Sequence, residues 1–289
     1  MFVRRAIFIA VALASSPVSA VQLKDDRGIV TDIRTPPARI VTLSPHLTEI
    51  VYAAGAGAKL AAVVRFSDYP PEAARLPEVG DASRIDLERL IALKPDLVLG
   101  WRSGNPPDDL ERIEKLGFPV FVTEPRRLPD IARLVRAVGT LAGSRAAAET
   151  AAAEYERTLS VLRARYAARQ PVRVFYEIWH RPLLTVNGDH IISDVIALCG
   201  GRNVFADVPV LTPSVSIEAV AAAKPEVVLG GSSAMAPGDL RAEWSRAPVG
   251  ALRELPVGYV PPDLIQRQTP RIAQGAKVVC EHLDAVRKR

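Results

Sequence analysis

The chain contains one phrase twice, with the same internal spacing in both copies. In residues 88–100 a glutamate is followed after five residues by Lys-Pro-Asp-Leu-Val-Leu-Gly, and in residues 218–230 by Lys-Pro-Glu-Val-Val-Leu-Gly. The copies lie 130 residues apart, whereas the repeats of a solenoid are much shorter. This separation indicates two similar lobes, and the cleft between two lobes is a common place for a small-molecule site.

The first twenty residues have the pattern of a secretory signal peptide. Arg4 and Arg5 precede the apolar run 6–14, which is too short to span a bilayer, and small residues follow at 18–20. We predict that residues 1–20 are cleaved after about Ala20 and that the mature chain is exported to the periplasm. The alternatives are a disordered start or a retained anchor.

The charge pattern does not favour a nucleic-acid partner. The formal net charge of the 289-residue chain is +5, and its basic and acidic side chains are interspersed. A nucleic-acid-binding domain would cluster its basic residues on one face. The mild positive balance is compatible with an anionic small ligand.

The two cysteines, Cys199 and Cys280, can form a disulfide in an exported protein. The alternatives are a metal-binding pair or a catalytic thiol. Neither fits the sequence, because it has no CxxC motif and no histidine at metal-ligand spacing. A structural disulfide is therefore the favoured interpretation.

Strand-like and helix-like segments alternate in residues 21–125 and again in residues 171–289. Such alternation predicts a mainly parallel sheet in each lobe. The strand 39–43 of the first lobe corresponds to the strand 173–176 of the second. Residues 21–38 are polar and weakly patterned, and we interpret them as an extended leader.

Residues 126–170 differ from both lobes, because they contain many Ala, Arg, Leu and Glu and almost no strand-forming residues. Their composition predicts helix, with Gly139 and Gly143 as places where the helix breaks or bends. We predict that this segment is a rigid helical connection between the lobes. The alternative is two ordinary helices that belong to one lobe.

The sequence offers no set of residues for catalysis. It lacks GxSxG, HExxH, Walker and GxGxxG motifs, and its four histidines are scattered. His46 and His180 each follow a predicted strand and could reach the cleft. A single histidine in a cleft is more often part of a polar wall than a ligand or a base, so we do not expect an enzyme.

Open α/β sheets bind ligands at the carboxyl ends of their strands. In the first lobe those ends supply Ser44-Pro45, Tyr69 and Trp101, and in the second lobe Trp179 and the segment 263–267. Exposed aromatic rings there can stack on a flat ligand. The alternative role for these rings is packing between the lobes, and for Trp179 the two interpretations are balanced.

Several phrases resemble the periplasmic cobalamin-binding proteins of ABC importers, a branch of the iron-siderophore, haem and cobalamin binding proteins. The Lys-Pro-Asp repeat is typical of the wider class, whereas Ser-Asp-Tyr-Pro-Pro and Trp-Arg-x-Gly-Asn are similar to the cobalamin branch. The resemblance covers essentially the whole mature chain. The segments that carry it are 39–45, 67–71, 87–96, 101–105, 199–201, 203–205 and 215–218, together with Asp263, Arg267, Pro270 and Arg271.

The resemblance implies two α/β lobes joined by one long connecting helix, with a corrinoid held in the cleft as transported ligand and no intrinsic cofactor. It places Tyr69 and Trp101 against the ligand and brings Asp263 and Arg267 to the cleft from the second lobe. It also implies that the two cysteines pair. A monomer that delivers its ligand to an inner-membrane permease is the expected state.

The resemblance gives the repeated glutamates a role as well. Glu88 and Glu218, one on each lobe, would meet arginines of the permease. Charge pairs at the rim of an interface chiefly set its registration and association rate. The alternative is that each glutamate only stabilises the N-terminus of its own helix.

The chain departs from the family at several aromatic positions. Ala82 or Ser83 and Thr212 stand where the family often has an aromatic residue, and Leu264 follows Asp263. Several aromatic rings that could stack on a flat ligand are therefore missing, and the ring of Trp179 could replace one of them.

A haem or ferric-siderophore receptor of the same fold is the nearest alternative function. In such a receptor the phenolate of Tyr69 would bind the iron, and His46 or His180 could be a second ligand. The Trp-Arg-Ser-Gly-Asn phrase favours cobalamin.

Overall fold

A computed structural model describes residues 21–289 of the chain, so the predicted signal peptide lies outside the described residues. The first lobe begins with a hairpin and continues as alternating strands and helices. Its elements are β1 (Val21–Lys24), β2 (Val30–Ile33), β3 (Ile40–Thr42), α1 (Pro45–Ala53), β4 (Leu60–Ala62), β5 (Gly80–Asp81), β6 (Arg84–Ile85), α2 (Leu87–Leu93), β7 (Leu97–Trp101), α3 (Pro107–Lys115) and β8 (Val120–Thr123).

Two helices follow, and then the second lobe repeats the alternation. The two helices are α4 (Leu128–Ala142) and α5 (Arg145–Tyr166). The elements of the second lobe are β9 (Val172–Glu177), α6 (Ile191–Leu198), β10 (Gly201–Asn203), α7 (Ile217–Ala222), β11 (Val227–Gly230), α8 (Pro237–Trp244), α9 (Gly250–Arg253), β12 (Val257–Tyr259), α10 (Pro262–Ile265) and α11 (Ile272–Arg287). In the part of the chain described, we find no helix with the length and apolarity that crossing a bilayer requires.

Each lobe is built on a four-stranded parallel sheet. The strand order is β4-β3-β7-β8 in the first lobe and β10-β9-β11-β12 in the second. The central strands are buried along almost their whole length, as expected when helices cover both faces of a parallel sheet. The predicted α/β class with two lobes is confirmed.

The repeated phrase has the same structural task in both lobes. Lys94 and Lys224 end their helices in the left-handed conformation, each with φ 47°. The acid two residues later then fixes the start of the neighbouring strand. The Asp96 carboxylate accepts from the Arg39 backbone N–H at 2.8 Å, and the Glu226 carboxylate accepts from the Arg173 N–H at 2.8 Å.

The helical segment between the lobes contains two helices rather than one. Gly143 ends α4 in the left-handed conformation with φ 75°, and α5 then runs back along α4 for 22 residues. Helix α5 contacts α1 of the first lobe and both α6 and α11 of the second. Helix α4 likewise contacts α1 of the first lobe and α6 of the second, so both helices join the lobes.

The interpretation of residues 21–38 as an extended leader is wrong. Strands β1 and β2 pair as an antiparallel hairpin that lies against β8, the edge strand of the first sheet. The buried carboxylate of Asp25 holds it there by accepting from the Ile29 N–H at 2.9 Å and from the Val122 N–H at 3.2 Å. Alternation in so short a hairpin is too weak a pattern to read from sequence.

The predicted disulfide is confirmed. Cys199, directly after α6, is bonded to Cys280 within α11, and both residues are fully buried. The bond joins two elements of the second lobe that are 81 residues apart in sequence.

Replacing both cysteines, in the variant Cys199→Ala/Cys280→Ala, should lower the free energy of unfolding by about 3–4 kcal/mol, because the unfolded chain loses an 81-residue loop constraint. Urea unfolding followed by circular dichroism measures the loss. Wild-type protein under reducing conditions is the control, and its free energy of unfolding should fall by a similar amount. An unchanged unfolding midpoint would contradict the structural role.

Candidate functional site

A cavity of about 330 Å³ lies between the two lobes. Its walls combine aromatic, aliphatic and polar side chains from both of them. The lining residues are Trp101, Ser103, Glu124, Pro125 and Arg126 on one side and Ile178, Asp189, His190, Ile191, Ile192, Leu211, Thr212, Gln266 and Gln268 on the other. Thr212, where the resemblance would place an aromatic residue, is part of the wall.

Trp101, at the end of β7, is held in this cavity by the loop that follows it. The Asn105 side chain accepts from the Trp101 N–H at 2.7 Å and donates to the carbonyl of Leu43 at 2.8 Å. At Gly104 there is no room for a side chain, because a Cβ there would lie 1.8 Å from an indole ring carbon. The Trp-Arg-Ser-Gly-Asn phrase thus specifies one placement of the indole.

His46 packs against Trp101 on the protein side of the indole. The prediction that His46 reaches the cleft is wrong, because its side chain is buried. Its imidazole is buried and meets the indole edge-on, with ring centroids 5.1 Å apart. Burial, with a smaller contribution from the nearby charge of Arg267, lowers the pKa of His46 to about 3. The ring is therefore neutral at physiological pH, and the Ser44 hydroxyl shares a hydrogen bond with its Nδ1 at 2.6 Å.

A buried glutamate connects the two lobes. Glu49 lies on α1 of the first lobe, and its side chain is only 3 % exposed. It accepts from Arg271 through both carboxylate oxygens, at 2.7 and 2.9 Å, and from Arg267 at 3.0 Å. Both arginines belong to the second lobe. Sequence reasoning missed Glu49, because it lies 218 residues from Arg267.

Arg267 and Arg271 also contact several of the predicted ligand residues. These contacts surround the ion pairs with Glu49, which we call the Glu49 bridge. Arg267 also pairs with Asp68 of the first lobe at 2.6 Å and with Asp263 of its own lobe at 3.1 Å. The guanidinium of Arg271 lies 3.8 Å from the centre of the Tyr69 ring, which is half-exposed. Tyr69, Asp263 and Arg267 are thus brought together at the lobe junction, beside the cavity rather than in its lining.

Arg267 changes the acidity of Asp68. Partial burial opposes ionisation of this carboxyl, but the hydrogen bond and the charge of Arg267 outweigh it, so the pKa of Asp68 is lowered. A lowered pKa in the folded state means that Asp68 contributes stability at pH values above about 3.9, its unfolded value. This contribution to stability is lost as the pH falls through the lower pKa that Asp68 has in the folded protein.

Trp179 and His180 face a separate cavity. That cavity, of about 460 Å³, is lined by second-lobe residues alone. The two nitrogens of His180 lie 3.1 Å from a Glu177 carboxylate oxygen and 3.2 Å from a Glu243 carboxylate oxygen. Burial raises the pKa of Glu177, which also accepts a 2.6 Å hydrogen bond from the indole of Trp244. The structure does not bring Trp179 to the cavity between the lobes.

Within the described part of the chain, no group of three or more His, Cys, Asp or Glu side chains is arranged to hold a metal ion.

The family model described as "Periplasmic binding protein" matches residues 40–250. The chain belongs to the periplasmic binding protein family.

The periplasmic binding proteins similar to this chain include several that are named for vitamin B12. The "Vitamin B12-binding protein" of Vibrio cholerae is 38% identical over 254 residues, which cover 88% of this chain and 92% of the relative. The protein of that name from Yersinia pestis is also 38% identical, over 251 residues, 86% of this chain and 87% of the relative.

Solved structures agree with this comparison. The crystal structure of the periplasmic vitamin B12-binding protein of Vibrio cholerae has a TM-score of 0.80 and 37% identity, covering 88% of this chain and 99% of that one. The periplasmic haem-binding protein of Roseiflexus sp. RS-1, in its apo form, has a TM-score of 0.71 and 27% identity, covering 86% and 98%.

On this periplasmic binding protein, Glu88 and Glu218 occupy matching places. Each is the second residue of a helix, α2 or α7, and each side chain is exposed. The helix N-termini have their own caps, because Asp86 accepts from the Arg89 N–H and Ser216 accepts from the Ala219 N–H. Other residues therefore cap the two helices, and the favourable charge of each glutamate near its helix N-terminus stays the alternative to docking.

Glu49→Gln should lower the free energy of unfolding by about 3 kcal/mol, since it leaves two poorly solvated guanidiniums without their shared carboxylate. The matched control is Asp68→Asn, which removes another partner of Arg267. The Asp68 side chain is 57% exposed, so that change should cost less than about 1 kcal/mol. Chemical denaturation of both variants at pH 7 measures the difference, and equal losses would show that Glu49 has no special part in joining the lobes.

Proposed function

We propose that this protein captures cobalamin, or a related corrinoid, between its lobes and delivers it to the permease of an ABC importer. The observation that carries the proposal is the cavity between the lobes, where the loop 101–105 holds Trp101 in one orientation against a polar wall. A fixed aromatic face is suited to a large, flat ligand. The vitamin B12-binding relatives, 38% identical to this chain, support the same ligand.

In this proposal Trp101 and Tyr69 stack against the corrinoid from the first lobe, and Pro45 would adjoin them. Ser44 is buried and its hydroxyl bonds to His46, so it would support this wall without touching the ligand. Arg267 and Asp263 contact it from the second lobe beside the Glu49 bridge. Trp179 would take part only if the ligand extended beyond the cavity between the lobes. The protein acts as a carrier without an intrinsic cofactor, and it works as a monomer.

Export to the periplasm is part of the proposal. Residues 1–20 would direct secretion and be removed, so protein recovered from the periplasm should begin at about Val21. Intact-mass spectrometry of that fraction tests this expectation.

Calorimetric titration of residues 21–289 with cyanocobalamin should show tight one-to-one binding, with much weaker binding of haemin. Trp101→Ala should weaken cobalamin binding about 10-fold, because a central stacking face is lost. Trp101→Phe keeps a flat ring and should weaken binding much less. No response to cyanocobalamin would contradict the proposal.

The opposite pattern would identify a haem receptor. Tight haemin binding with a Soret band and a charge-transfer feature, both abolished by Tyr69→Phe, would make the phenolate an iron ligand. For cobalamin the same substitution should only weaken stacking.

Reversing both docking charges, in Glu88→Lys/Glu218→Lys, should leave cobalamin affinity unchanged and reduce uptake at least 10-fold, because each lobe then repels the arginines expected on the permease. The control is Glu154→Lys/Glu281→Lys, which makes the same charge change at exposed glutamates on α5 and α11. Uptake of labelled cobalamin by cells that carry the importer measures the effect. Normal uptake by the docking variant would show that these carboxylates do not mediate docking.

A further inference from the structure

Phe66 has a backbone conformation that its residue type disfavours. In residues 21–289, three residues other than glycine have a positive φ, and two of them are lysines that follow helix ends. Phe66, with φ 68°, is instead the third residue of a turn, which the Ser67 N–H closes on the Val64 carbonyl at 3.3 Å. Glycine or asparagine is usual at such a position, because a bulky side chain strains the backbone there. The Phe66 side chain is also 68% exposed, so its burial does little to offset the strain.

Arg267 of the second lobe holds this part of the first lobe in place. It donates to the Asp68 carboxylate at 2.6 Å and to the Phe66 carbonyl at 3.4 Å. Beside it, the guanidinium of Arg271 lies over the ring of Tyr69. Residues 66–69, which we call the strap, are thus fastened across the lobe junction by side chains of the other lobe.

The contact between Asp68 and Arg267 is easier to break than the Glu49 bridge. The Asp68 side chain is 57% exposed and regains water when it leaves, and Arg267 keeps Glu49 and Asp263 as partners. Glu49 is buried, so breaking its bonds would leave an uncompensated buried charge. The strap can therefore be released while the lobes stay joined.

The strap is fastened next to the wall of the cavity between the lobes, because Gln266 and Gln268, the chain neighbours of Arg267, line that cavity. The volume of the cavity is about 330 Å³. Pockets for drug-sized ligands have volumes of roughly 300–1,000 Å³, and a corrinoid is larger than most such ligands. Admitting a corrinoid therefore requires more space than the cavity offers while the strap is fastened.

We propose that the strap gates the cleft, and that its release from Arg267 admits the ligand while the Glu49 bridge keeps the lobes together. The inference rests on the proposed function, because the size of a corrinoid is what requires the opening. The strained backbone at Phe66 favours release, and the contacts of Arg267 oppose it. Ser67 is the pivot, since it is buried and its hydroxyl accepts from Thr48 of α1 at 3.1 Å.

Hydrogen exchange of the ligand-free mature protein, resolved by mass spectrometry, measures how often the strap opens. Asp68→Asn removes the charge that fastens the strap and should speed exchange of the strap amides about 5-fold. Phe66→Asn should slow that exchange, because asparagine tolerates a positive φ and the fastened strap is then less strained. The control is Asp263→Asn, which removes a partner of Arg267 within the second lobe and should leave exchange in the strap unchanged. Equal exchange in wild type and Asp68→Asn would show that the pair does not fasten the strap.

Stopped-flow mixing with cyanocobalamin, followed by tryptophan fluorescence, tests whether opening limits entry. Asp68→Asn should raise the association rate and the affinity about 5-fold and leave the dissociation rate unchanged, because more molecules are open before the ligand arrives. A purely structural role for Asp68 would not make binding faster and tighter. If Asp68→Asn binds at the wild-type rate or more weakly, the strap is not a gate, although cobalamin binding stands. If wild type does not bind cyanocobalamin at all, the proposed function fails.

Discussion

The buried carboxylate of Glu49 is the interaction on which the arrangement of the two lobes depends. It is shared by two arginines of the opposite lobe, and loss of these partners would leave an uncompensated buried charge, which is strongly destabilising. Arg271 in turn lies over Tyr69, and Arg267 reaches Asp68 and Asp263. One ionic bridge therefore links the lobe junction to the residues beside the cleft, and α5 contacts helices of both lobes.

A lobe junction held by buried ion pairs suits a carrier of a large ligand. The indole of Trp101 needs no rearrangement to expose its face. The Asn105 side chain binds the Trp101 backbone, and Gly104 leaves the space that the indole ring occupies. The opposite wall combines aliphatic side chains with polar ones such as Thr212 and Gln266. A pre-formed cleft of this kind loses little conformational entropy on binding, so modest contact energies suffice for affinity.

The two-lobed fold and the disulfide could be predicted from the sequence, because their signals are local or repeated along the chain. The repeat predicted two lobes because the Lys-Pro-acid phrase performs the same backbone task in each, and the two cysteines were the only possible disulfide. Glu49 could not be found in this way, since its significance lies in contacts across the folded cleft with residues that are more than 200 positions away in sequence. His46 was misjudged because its position after a strand is compatible with either burial or exposure, and only packing against Trp101 decides between them.

A crystal structure of the mature protein with cyanocobalamin would decide whether the ligand binds in this cleft with the Glu49 bridge intact. We expect the corrinoid to lie between the lobes against Trp101, with Glu49 still bonded to Arg271 and the lobes in nearly their present relation. A ligand bound outside this cleft, or lobes rotated so far that the Glu49 bridge is broken, would contradict it.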